Sequence, residues 1–249
     1  MKRYFAARGA TEENLRRHDS ERATEAFDLP HGLREDEEQL IREFFPPPPA
    51  RIADLGCGNG RTTLPLSCMG YTVVGIEYSA RLARVAKRHC PDLPVWVADA
   101  RSLPFGDAVF DAAFFSWNGI DYMHPLSERI RVLDEVRRVL KAGAIFLFSS
   151  HNALGCVGRL LRPPLLARRA VRFWLDQSLH RRPLGGWYFF WRDDALGMPL
   201  FYSAPPPAQA RLLRAQGWEI AAVRSAARPA RRPWSLIDVH VHYVCRKPG

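Results

Sequence analysis

Short apolar runs at 51–55, 72–77, 95–98, 110–116 and 144–149 alternate with helical patterns at roughly 60–69, 79–90 and 127–141. The runs have the length and β-branched or aromatic content of strands, and the intervening apolar spacing follows a helical period. Ser79 and Ser127 stand where helix N-caps belong, and Cys90-Pro91 and Gly143 where helices stop. Strand and helix in strict alternation predict a parallel sheet covered on both faces, a doubly wound α/β domain. Ahead of it, "TEENLRRHDSERATEAF" and "LREDEEQLIREFF" read as helices, so residues 1–45 form an N-terminal helical cap, joined through the stiff Pro46–Pro49 run. The alternation lapses over 151–203. It resumes with a helix at about 206–216, closed by Gly217, and two strands, "WEIAAVRSA" and "DVHVHYVCRK". No crossover helix separates those two, so they are expected to pair antiparallel and complete seven strands. The organisation predicted is a cap (1–45), a core (50–150), an insert after the fifth strand (151–203) and a closing helix and strand pair (204–249).

Composition changes this picture little. With 249 residues, 47% hydrophobic and 25% charged, the chain is ordinary for a globular enzyme with one sizeable core. No apolar run approaches the ~18 residues of a membrane span, and the N-terminus lacks a signal core, so the cytoplasm is the expected location. Five scattered cysteines without a C-x-x-C pair speak against a disulfide framework and a zinc site, and no metal is expected. The net charge of +10 raises nucleic acid as a partner, but the excess is arginine in an Ala/Arg/Pro-rich chain, and nucleic acid is not the expected ligand.

Chemistry enters with "ADLGCGNGRTT". Glycines at 56, 58 and 60 miss the G-x-G-x-x-G spacing of dinucleotide folds, and no G-K-[ST] closes a P-loop. A ligand can still lie against such bare backbone. Glu77 ends the next strand, where a carboxylate can accept from two ribose hydroxyls. Asp99-Ala100 ends the third, where a side chain and an amide can read an adenine edge. A nucleoside without pyrophosphate fits these positions, which points to S-adenosylmethionine.

"IADLGCGNGRTT", "VVGIEYS", "VADARSLPFGDAVFDAAFFSWNGIDYM" and "LDEVRRVLKAGAIFLFSSHN" stand in the order and spacing of the class I S-adenosylmethionine-dependent methyltransferases, which the chain resembles over about residues 50–152. "KAGA" departs from the Lys-Pro-Gly-Gly common in that family. The resemblance implies a Rossmann-like seven-stranded sheet with an antiparallel C-terminal strand. It also implies a methionine site around Asp54, Gly56, Cys57, Gly58 and Gly60, with Ser116 and Trp117 near its end. Glu77 would then take the ribose, and Asp99, Ala100 and Tyr78 the adenine.

Methyl transfer is an in-line displacement that asks the protein chiefly for alignment and exclusion of water. The acceptor is expected where the fourth and fifth strands end. Asn118, Asp121, Tyr122 and His124 follow the fourth, and His151 the fifth. His124 and His151 are the candidate bases, although loop histidines more often serve structure, and no base is assigned. The insert, with eight arginines, three acids and nine aromatics, reads as a lid in which Trp187 and Trp191 wall the acceptor. Its aromatics also suit an inner core or a homodimer contact. The leading function is methyl transfer to O or N of a small molecule, such as a metabolite, natural-product intermediate or sugar. The alternatives are an RNA methyltransferase and a non-catalytic cofactor-binding scaffold.

Overall fold

The computed structural model describes residues 10–155, 187–190, 200–226 and 238–249. Three helices come first: α1 (Ala10–His18), α2 (Glu21–Ala26) and α3 (Glu35–Phe44). The alternating core follows as β1 (Arg51–Leu55), α4 (Thr63–Cys68), β2 (Thr72–Glu77), α5 (Ala80–His89), β3 (Val95–Val97), β4 (Phe110–Phe115), a 3-10 turn (Gly119–Tyr122), α6 (Leu126–Val139) and β5 (Leu140–His151). The insert contributes β6 (Tyr188–Phe190) and β7 (Leu200–Tyr202), and the chain closes with α7 (Pro206–Ala215), β8 (Glu219–Ser225) and β9 (His240–Arg246).

Seven strands form one sheet in the order β3-β2-β1-β4-β5-β9-β8. Pairing is parallel from β3 through β5, and β9 runs antiparallel to both β5 and β8. The order reverses between β1 and β4, the switch point beyond which open α/β sheets bind ligands. Strand residues alternate between two cores. Ala53, Leu55, Phe115, Phe146 and Phe148 pack with Val132, Val136 and Trp218 on one face. Ile52, Phe114 and Leu147 pack with Leu40 and Ile41 of α3 on the other.

Four local expectations change. The helix after the glycine loop starts at Thr63 rather than near residue 60, because the loop turns back through a Gly60 N–H to Cys57 carbonyl bond. Ser79 does cap α5, accepting from Leu82 N, but Ser127 lies inside α6, whose cap position is Pro125. Gly143 does not end that helix. Leu140 pairs with Phe110 at once, so the chain is already strand, and Gly143 sits within β5. Within 151–203, where no alternation is legible, β6 and β7 pair antiparallel.

Candidate active site

The glycine loop follows β1 with Gly56 and Gly58 both at φ +59, a left-handed conformation that disfavours any side chain. A Cβ on Gly56 would lie 2.6 Å from the Phe115 ring, whereas one on Gly58 would meet nothing within 4 Å. The first glycine admits the core, and the second leaves room in front of the loop. Asp54 holds the loop from beneath. It is fully buried, and its Oδ2 accepts from the Thr62 and Thr63 hydroxyls at 2.7 Å each. Its Oδ1 is buried without a partner, and loss of solvation raises its pKa from 3.8 to about 6.

A cavity of about 430 Å³ opens in front of this loop. At one end stand Gly56, Cys57, Gly58, Glu77, Tyr78, Asp99 and Ala100. Glu77 Oε2 accepts from Gly58 N at 2.9 Å and Oε1 from Ser79 N at 2.8 Å. Burial pushes its pKa up, against the pull of those amides. Asp99 is more engaged than a free adenine reader would be. Arg101 donates to both its oxygens and, through Nη1, to Glu12 of α1 and Glu128 of α6. The roof is N-terminal: Leu15 and His18 of α1, with Phe27 and Leu29 beyond α2.

Toward the middle lies a buried ion pair that the sequence did not signal. Arg61 meets Glu37 of α3 through two hydrogen bonds, Nη2 to Oε1 at 2.8 Å and Nη1 to Oε2 at 3.0 Å. Ser116 Oγ bonds both partners. The Arg61 guanidinium stacks 5.5 Å from the Trp117 ring. Trp117 and Asn118 are consecutive left-handed residues (φ +51 and +57). Such conformations cost roughly 1–2 kcal/mol each in a non-glycine residue and gather at working sites. They swing the chain after β4 across the cavity mouth, where Asn118 N donates to Ser149 Oγ and Asn118 Nδ2 to His240 Nδ1.

The other end is lined by Asn118, Tyr122, His151, His240 and His242. His151 donates from Nδ1 to Asp121 Oδ2 at 2.8 Å, and its backbone N–H reaches the same oxygen at 2.7 Å. Asp121 Oδ1 accepts from Ser150 Oγ and from Arg129, and both charged residues are fully buried. On β9, His242 Nε2 bonds Asp36 Oδ2 at 2.8 Å. Burial works against that carboxylate's charge, but His242 and Arg34 hold its pKa below the usual value.

Several expected contacts are absent from the cavity wall. Asp54 and Gly60 lie outside the lining, because Asp54 sits under the loop and Gly60 against Cys90 and Ala86 of α5. His124 is also outside it. Its backbone N–H and carbonyl engage the Thr11 hydroxyl, and burial depresses its pKa. Trp187 packs beside Leu200, Tyr202 and Phe201 rather than lining the cavity. Trp191 lies outside the described residues. Conversely, Glu37 stands in the sequence only as one acid of the helix in "LREDEEQLIREFF". His240 and His242 were read only as alternation, although two histidines at i and i+2 on a strand beside β5 were a usable signal.

Residues 53–148 match the family described as "Methyltransferase domain". The chain carries a class I, S-adenosylmethionine-dependent methyltransferase domain. A demethylmenaquinone methyltransferase of Renibacterium salmoninarum is 32% identical over 110 residues, 43% of this chain and 45% of the relative. That of Corynebacterium kroppenstedtii is 27% identical over 190 residues, 67% of this chain and 80% of the relative. The chain thus spans less than half the length of the relative of higher identity. A methyltransferase structure from Methanosarcina mazei shares the fold, with TM-score 0.62, 22% identity and 84% and 97% of the two chains covered. So does the 1,6-didemethyltoxoflavin-N1-methyltransferase of Burkholderia thailandensis bound to S-adenosylhomocysteine, with TM-score 0.56, 18% identity and 87% and 78% coverage. Among the described residues, no helix is long and apolar enough to cross a membrane, and no group of three or more His, Cys, Asp or Glu is placed to hold a metal ion.

Proposed function

We propose that this protein transfers a methyl group to an oxygen or nitrogen of a small-molecule acceptor that shares the cavity with S-adenosylmethionine. The observation that carries the reading is continuity. One roofed cavity runs from the glycine loop and Glu77 to Asn118, His151 and His240. The residues fit the cofactor: open space before Gly58, a buried acceptor at Glu77, and apolar walls from Leu15, Phe27 and Leu29.

When bound, S-adenosylmethionine supplies an electrophilic methyl on a sulfonium. Glu77 would accept hydrogen bonds from the ribose, and Tyr78, Ala98 and Ala100 would border the base. The Arg61–Glu37 pair borders the methionine end, where the Arg61 guanidinium favours a carboxylate. The helical roof excludes water, which favours alignment of the reacting atoms over hydrolysis. A cavity roofed by α1 and the α2 segment suits a compact acceptor better than a polynucleotide. The relative of higher identity named for demethylmenaquinone matches only 43% of this chain, so its acceptor is not carried over.

Titration calorimetry with S-adenosylmethionine and S-adenosylhomocysteine tests the reading. Both bind the wild-type protein. Glu77→Ala loses a charge-assisted contact worth about 1.5–3 kcal/mol, a weakening of roughly 10- to 150-fold. A folded wild-type sample giving no heat with either ligand would refute it.

A further inference from the structure

Glu77 ends β2 and His151 ends β5, three strand positions away, or roughly 14 Å across the sheet. At the β5 end the structure holds a charge arrangement that cofactor binding does not require. A carboxylate only accepts, so the Asp121 contact fixes the His151 proton on Nδ1 and puts the lone pair of the neutral ring on Nε2. The Asp121 charge is balanced by Arg129, whose Nη1 also donates to the Ile120 carbonyl and whose guanidinium lies 4.2 Å from the Tyr202 ring. Next to His151, His240 accepts from Asn118 through Nδ1, so its own proton is on Nε2. Asn118 Oδ1 is buried without a partner in a residue 8% exposed, an acceptor that a ligand O–H or N–H would satisfy.

Resting on the cofactor and small-molecule reading above, we infer that His151 is the general base of this site, that Asp121 positions it, and that the acceptor is a hydroxyl compound (an alcohol, phenol or enol). An amine that arrives neutral has no need of a base before attack, whereas a hydroxyl must shed its proton as it attacks. The acceptor O–H bond breaks as its oxygen bonds the methyl carbon. The proton passes to His151 Nε2, the C–S electron pair stays with the departing sulfur, and the imidazolium returns the proton to solvent. Among the described residues, Asp121 from the 3-10 turn, Phe201 from β7 and His240 from β9 meet the His151 ring, while Arg129 of α6, set over the Tyr202 ring, pairs with Asp121.

The test pairs His151→Gln with two readouts. The first is turnover of matched probes, 1-naphthol against 1-naphthylamine and a set of smaller alcohols against their amines, followed as S-adenosylhomocysteine released. The wild-type protein methylates hydroxyl probes, and His151→Gln does so about 10²–10⁴-fold more slowly, with S-adenosylhomocysteine affinity within about threefold. Hydroxyl turnover untouched by the substitution, turnover confined to amines, or no hydroxyl turnover overturns the inference. Absence of S-adenosylhomocysteine binding in the wild type refutes the cofactor reading instead. The second readout is the ¹⁵N imidazole spectrum, with His151 assigned by its loss in the variant. The wild-type ring shows the Nδ1–H tautomer at neutral pH, and an Nε2–H signal overturns the inference. In Asp121→Asn the amide N–H faces Nδ1 and the proton moves to Nε2. An unchanged Nδ1–H signal there removes Asp121 from the positioning role, and if that variant does not fold, the wild-type spectrum alone decides.

Discussion

At the scale of the residue, Asp54 shows how the site draws on stability. Its folded pKa of about 6 exceeds the ordinary 3.8, so the native state holds a proton that the unfolded chain has released between those values. Stability therefore falls as pH rises from 4 to 6, by up to about 3 kcal/mol from this group, and the penalty stays above that window. Asp36, Glu12, Asp111 and Glu135, all with lowered pKa, act in the opposite sense, so the effect is read as a difference. Urea melts of Asp54→Asn and wild type at pH 4 and 6.5 are expected to show the variant gaining about 2–3 kcal/mol relative to wild type across the interval. The sequence pointed to Asp54 through its place before the glycines. It could not show that the side chain faces Thr62 and Thr63 rather than a ligand, because that depends on the loop folding back. The left-handed backbone of Trp117 and Asn118, though both were expected at the site, was illegible for another reason: nothing local marks it, and the surrounding structure imposes it.

Among the elements, α1 is the clearest case of a helix legible by pattern whose docking is not. Its buried Asn14 donates to the Tyr122 carbonyl at 2.8 Å and the Leu200 carbonyl at 2.7 Å, and accepts from Leu200 N at 3.3 Å. These partners lie 108 and 186 residues away, and a backbone carbonyl leaves no trace in the sequence at such separations. This one amide joins the cap, the turn after β4 and the β7 strand of the insert. Asn14→Ala strips three contacts from buried partners and costs about 1–3 kcal/mol. Hydrogen exchange is expected to quicken in residues 10–18 and 200–202 while the β1–β4 core stays protected; uniform quickening would mean the clamp is not local. Strands β1, β2 and β4, by contrast, were legible to within a residue, because a strand buried on both faces writes a continuous apolar run, whereas β5 starts four residues before its apolar run. The insert broke that rule, since a three-residue pair such as β6 and β7 is too short to show a period.

For the whole molecule, cofactor binding should register as global stabilisation, because the cavity is walled by the cap, the sheet edge and the last strand together. S-adenosylhomocysteine at 100 times its dissociation constant adds about 2.7 kcal/mol, which for a chain of this size raises Tm by roughly 5–10 °C. Calorimetric scans with and without ligand check this, and a shift under about 1 °C at that concentration is incompatible with binding to the folded state alone. The placement of β9 between β5 and β8 carries a further consequence. Val241, Tyr243 and Cys245 fill one core, with Tyr243 stacked 5.2 Å from Phe148, while His240 and His242 turn to the opposite face. The strand thus works as a ruler whose graduations are aliphatic and aromatic but whose reading is chemical. A slip of one residue exchanges the two faces, sending histidines into the apolar core and Val241 toward Asn118. Packing of residues that never touch the cavity therefore decides which groups the cavity contains.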